Sequence, residues 1–122
     1  MIDHIGIHVS NIANSKAFYI AALASLGYKV ITEIPEWNVF GLGVEQSDVW
    51  IAQTEGVRKG NSVHVAFSAK THEEVDAFYE DAIAAGGEDN GKPGIREEYS
   101  PTYYAAFVFD PDGNNIEVVC RV

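Results

Sequence analysis

Three residues of this 122-residue chain could share one piece of chemistry: His4, His64 and Glu117. Each falls in a short stretch of alternating apolar residues, 1–9 (MIDHIGIHV), 62–69 (SVHVAFSA) and 114–122 (NNIEVVCRV). Successive side chains of a strand point to opposite faces. Alternation therefore groups Ile5, Ile7 and Val9, then Val63, Val65 and Phe67, then Ile116, Val118 and Cys120 on core-facing sides. The reverse faces carry His4 with Gly6 and His8, His64 with Ala66 and Ser68, and Glu117 with Val119 and Arg121. Two imidazoles and one carboxylate suit a divalent metal that keeps coordination positions open for substrate.

The elements that would position these residues come in two similar halves. In the first, residues 15–26 (SKAFYIAALASL) read as a helix by propensity and spacing, closed by Gly27. Strands follow at 28–33, 37–42 and 48–53, with Pro35, Gly41, Gly43 and Ser47 between or at the ends of them. The polar stretch 54–61 reads as a linker. In the second half Thr71 and Glu74 form a capping box for a helix running through Ala85, with Gly86 and Gly87 closing it. Residues 88–101 read as a long loop, and strands at 102–110 and 114–122 are joined by the turn Asp110-Pro111-Asp112-Gly113. His4 precedes Phe18-Tyr19 by the interval that separates His64 from Phe78-Tyr79, and Gly27 and Gly87 lie equally far from their histidines. The expected fold is α+β: two tandem β-α-β-β-β modules, one over about 1–54 and one over about 62–122, joined by a linker at about 55–61. Each helix covers one sheet face, on the outside, and the other faces form a curved mixed sheet around a metal-binding cup.

Composition narrows the partners. An apolar fraction of 47% is ordinary for a globular domain, and a net charge of −10 weighs against nucleic acid or an anionic membrane. The start lacks a basic and apolar leader, and no run approaches the length of a membrane span. A lone cysteine, Cys120, makes no internal disulfide and reads as a core side chain, with a reactive thiol as the alternative. A cytoplasmic protein acting on a small molecule is the expectation.

The stretches DHIGIHVSN with SKAFY, GNSVHVAFSA with VDAFY, and YYAAFVFDPDGNNIEVV resemble the vicinal oxygen chelate superfamily. That group includes glyoxalase I, extradiol dioxygenases, fosfomycin-resistance thiol transferases and metal-free bleomycin-binding proteins. The resemblance covers nearly the whole chain. It implies a metal in the cup, with His4, His64 and Glu117 as ligands, and a homodimer whose cups are completed across a two-fold axis. Glyoxalase I has a fourth ligand, a carboxylate that also moves the substrate proton; the matching position here is Trp50 or Ile51, which cannot bind a metal.

What the resemblance implies about function is a metal-dependent lyase or isomerase of glyoxalase-like type, the ion acting as a Lewis acid on adjacent substrate oxygens. Glu117 is the candidate catalytic residue, with a hydroxide or a tyrosine as other possible bases. Zn, Ni, Fe and Mn are not distinguished, and glutathione or another thiol is a candidate co-substrate. The alternatives are an Fe(II) dioxygenase and a non-catalytic drug-binding module of the bleomycin-resistance type. Trp37, Trp50, Tyr103, Tyr104 and Arg96 are the candidate substrate-binding residues. His8 lies about 13 Å along its strand from His4 and cannot share its first shell. His72, in a first helical turn, reads as solvated, and Gln53 as a possible cup residue.

Overall fold

A computed structural model of the chain describes residues 1–60 and 63–122. Asn61 and Ser62, expected to end the linker and open the fifth strand, lie outside the described residues. The first half runs β1 (Ile5–Val9), α1 (Ile12–Leu23), β2 (Lys29–Ile34), β3 (Val39–Gly43) and β4 (Val49–Gln53). The second runs β5 (His64–Ser68), α2 (His72–Ala84), β6 (Glu88–Ile95), β7 (Tyr104–Phe109) and β8 (Asn115–Cys120). Strand, helix and three strands thus occur twice, as the spacing of histidine, aromatic pair and glycine predicts.

Local chemistry sets the helix ends. The Asn11 side chain accepts from the Asn14 N–H at 3.0 Å, and Gln53 Oε1 accepts from the Ile12 N–H at 2.9 Å. These two caps satisfy free N–H groups of the first turn, so α1 begins three residues before the expected Ser15. The end of the expected helix tightens into a 3-10 turn over Ala24–Leu26, and Gly27 follows at φ 82°. In α2 the Thr71 hydroxyl accepts from the Glu74 N–H at 3.2 Å, while the Glu74 carboxylate reaches the Lys70 N–H at 2.7 Å. Glu73 and Glu74 also place negative charge at the helix's positive end.

One expectation fails in the second half. Residues 88–101 do not form a continuous loop: Glu88–Ile95 is a strand antiparallel to β7, with register shifts between Asp89 and Gly91 and between Gly91 and Gly94. Three charged residues, two glycines and a proline hide the strand from any alternation test, and Gly91, at φ 153°, takes a bulge conformation that side chains disfavour.

The strands form two four-stranded sheets, ordered β1-β4-β3-β2 and β5-β8-β7-β6. In each, the first strand runs parallel to the last and the other pairings are antiparallel. The helices pack on each other, and one core joins both halves, with Ile7, Val9, Phe18, Phe78, Val75, Ile116 and Val118 buried in it. Cys120 is fully buried there too.

A buried polar knot fixes the β7–β8 turn to the first half. Asp110 Oδ1 accepts from the Asp112 and Asn114 N–H groups at 3.0 and 2.8 Å. Its Oδ2 accepts from Asn114 Nδ2 at 2.9 Å and from the Tyr19 hydroxyl at 2.6 Å. Asp112 Oδ2 accepts from the Ser10 N–H at 3.1 Å. The knot sets where β8 starts, and β8 carries Glu117.

Candidate functional site

Register delivers two of the three predicted ligands to one place. In the parallel β5–β8 pair, Ala66 lies opposite Glu117 and His64 opposite Asn115, so His64 and Glu117 share the sheet face away from the helices. His64 Nε2 lies 2.9 Å from Glu117 Oε1, a hydrogen bond when that nitrogen carries the proton. Glu117 is only 2% exposed, whereas the His64 side chain is half exposed.

The second donor to Glu117 is the Tyr103 hydroxyl, bonded to Oε2. Tyr103, Ala105, Val119 and the half-buried Phe107 make a small apolar cluster on this face, separate from the main core. Phe107 is the cross-strand partner of Glu117. The Arg121 guanidinium lies over the Tyr103 ring at 4.9 Å, and Tyr99 meets that ring edge-on at 5.0 Å. Desolvation, then the hydrogen bond to Glu117 and its charge, push the Tyr103 phenol up to about 12. Together His64, Glu98, Tyr99, Tyr103, Phe107, Glu117 and Arg121 line an open cavity of about 540 Å³.

His4 does not line that cavity. It precedes β1, so the alternation that assigns it a face begins one residue later, and its side chain is 57% exposed. Its Nδ1 lies 2.6 Å from Asp3 Oδ1, a contact that does not engage Nε2. A carboxylate on one imidazole nitrogen is the usual means of orienting the other toward a metal. A second cleft, of about 400 Å³, has His4, Asp3, Tyr28, Asp48, His64 and Phe67 on its walls. Among the described residues of one chain, no three His, Cys, Asp or Glu side chains converge on a common point. His64 and Glu117 nonetheless suit a divalent cation: a buried carboxylate beside an imidazole is a donor pair that a positive charge would stabilise.

The expected substrate-binding residues scatter. Tyr103 borders the cavity, but its hydroxyl is spent on Glu117. Tyr104, its neighbour, turns to the helix side, where its hydroxyl donates to Asp76 at 2.6 Å and its ring stacks on His72 at 3.9 Å. The same stacking, with His72 Nε2 2.9 Å from the Val122 carbonyl, gives the partly solvated His72 a packing role as well. Arg96 donates to the Gly94 and Lys92 carbonyls at 3.0 and 2.6 Å while lying over Phe107 at 5.4 Å, so it buttresses the cavity wall. Trp50 sits on the first sheet opposite Gly6 and Gly41, away from Glu117, and Trp37 is 71% exposed in the 3-10 turn Pro35–Trp37. His8 pairs with the Thr54 hydroxyl at 2.7 Å, and Gln53 serves as a helix cap. Phe107 and Arg121 escaped selection from the sequence. Phe107 lies opposite Glu117 only in the observed β7–β8 register, which the turn residues alone do not specify.

With this geometry in view, comparison with known proteins gives a consistent answer. Residues 1–118 match the Glyoxalase/Bleomycin resistance protein/Dioxygenase superfamily, and the chain belongs to that superfamily. A glyoxalase/bleomycin resistance protein from Albidiferax ferrireducens T118 is 28% identical with a TM-score of 0.83, covering 98% of each chain. A glyoxalase/bleomycin resistance protein/dioxygenase family enzyme from Burkholderia phytofirmans PsJN shares the fold at 21% identity and a TM-score of 0.74, covering 99% of this chain and 98% of its own. So does the fosfomycin resistance protein FosX from Listeria monocytogenes, an E126Q mutant complexed with Mn(II) and 1S,2S-dihydroxypropylphosphonic acid. Its identity is 18% and its TM-score 0.73, over 98% of this chain and 88% of that one. No curated relative matches the chain. Among the described residues no helix is long and apolar enough to cross a membrane.

Proposed function

We propose that this protein is a divalent-metal enzyme of lyase or isomerase type, acting on a small substrate that presents two adjacent oxygens. The observation that carries the reading is the buried Glu117 carboxylate, 2% exposed and bonded to His64 on the floor of an open cavity. His64 and Glu117 would hold the ion from one chain, and His4 from a second copy. A homodimer is part of the proposal because His4, just before β1, does not join His64 and Glu117 in a three-residue ligand group among the described residues of one chain.

When bound, a divalent ion supplies Lewis-acid stabilisation of negative charge developing on substrate oxygens. The protein's own residues do the rest. Phe107 and Tyr99 give the substrate an apolar wall, and Arg121 is a cation at the rim of the same cavity. With Trp50 and Ile51 where glyoxalase I carries a carboxylate, Glu117 is the proposed proton-transfer group.

Elemental analysis after reconstitution with Zn, Ni, Fe and Mn tests this. The wild type should retain about one ion per chain, and His64→Ala and Glu117→Ala less than about a tenth of that. Equal metal content in all three proteins overturns the assignment. Absence of metal from the wild type itself favours a binding module with an aromatic cleft.

A further inference from the structure

We propose that Tyr103 is a positioning residue that restricts Glu117 to one metal-facing oxygen: its hydroxyl holds Oε2 and leaves Oε1, the oxygen beside His64, for a divalent cation. This rests on the metal-centre reading above and adds to it how the open coordination positions are kept.

Glu117 has two side-chain donors among the described residues, His64 and Tyr103. His64 Nε2 must surrender its proton to ligate through that nitrogen, so its hydrogen bond to Oε1 disappears when a metal binds. The phenol bond does not compete with the metal in this way, because it lies on the other carboxylate oxygen.

The ring that carries the hydroxyl is fixed from several sides. Tyr103 is 9% exposed and packs on Ala105 and Val119. Arg121 covers its face, Tyr99 abuts its edge, and its carbonyl accepts from the Arg96 N–H at 2.8 Å. A phenol so confined cannot follow Glu117 if the carboxylate turns. Its hydrogen bond therefore opposes a rotation that would bring both oxygens onto one ion. Ligation through both would take a position that a substrate with two adjacent oxygens requires.

The test uses Co(II) with the wild type and Tyr103→Phe, a change that removes the hydroxyl and keeps the ring. Affinity is read by competition with a chelator. The carboxylate mode is read from infrared difference spectra of protein carrying isotope-labelled glutamate. The wild type should show the wide separation of carboxylate stretches that marks one-oxygen ligation. Tyr103→Phe should bind Co(II) about ten- to a hundredfold more weakly, with narrowed separation and a shifted visible spectrum. Unchanged affinity and spectra in a folded Tyr103→Phe overturn the proposal, as does lowered thermal stability with unchanged Co(II) binding. Should that variant not fold, the wild-type infrared spectrum decides alone, and a two-oxygen signature overturns it. Failure of the wild type to bind Co(II) would instead remove the metal-centre reading itself.

Discussion

Buried oxygens on this protein are stabilised by phenols at two separate places. Tyr19, fully buried, donates to Asp110, and desolvation, followed by the Asp110 charge and hydrogen bond, holds its phenol well above the ordinary value. A phenol whose folded pKa lies above its unfolded value contributes stability that is intact below the unfolded pKa. That contribution is lost as pH rises from about 10, because the unfolded chain ionises first. Tyr28, Tyr103 and Tyr104, each raised to about 12, act in the same direction. Urea unfolding should therefore show stability falling above about pH 10. Tyr19→Phe should lower stability at pH 7 by about 1–3 kcal/mol and make the alkaline fall shallower. An unchanged alkaline slope would contradict the assignment. Sequence shows Glu117 clearly at this scale, since a carboxylate between Ile116 and Val118 needs a partner. It cannot show Tyr103 as that partner. Choosing Tyr103 over Tyr104 requires the β7–β8 register, which the turn at Asp110–Gly113 fixes only once its hydrogen bonds are known.

Elements were readable where their signals are local. Thr71 with Glu74, and Gly27 and Gly86 at positive φ, mark helix ends by chemistry confined to a few residues. Strand β6 was hidden because its two register shifts and Gly91 are imposed by pairing with β7, a contact between distant residues. Gly87 tests how tightly the helix–strand junction is packed. A methyl group there would meet Val108 Cγ1 at 2.5 Å, Phe18 Cε1 at 2.8 Å and the Ala82 carbonyl oxygen at 2.9 Å. Phe18 and Val108 belong to the core that both halves share, and the carbonyl is helix backbone, so little can yield. Gly87→Ala should lower unfolding free energy by about 1–3 kcal/mol in denaturant titration. Gly56→Ala, with open space around it but a φ of 80°, should cost about 1 kcal/mol from backbone strain alone.

In the molecule as a whole the helices pack on each other within one shared core, and a face of each sheet is left uncovered. His4 stands at the start of the first sheet, His64 and Glu117 on the open face of the second. The duplication that generates this arrangement was legible in the sequence as matched intervals from each histidine to its aromatic pair and glycine. The spatial relation between the two sheets was not, because no local pattern encodes how tandem modules dock. Two-fold pairing of copies would bring the first sheet of one chain to the second sheet of the other, giving two equivalent metal sites per dimer. The direct measurement is metal uptake by mixed variants. His4→Ala and Glu117→Ala proteins, each expected to hold no metal alone, are unfolded together, refolded at equal concentration and reconstituted. A mixed dimer then has one site lacking both ligands and one site with all three. Random pairing should restore metal to about a quarter of the wild-type content per chain. A mixture that regains no more metal than its two components measured separately would contradict a centre shared between copies.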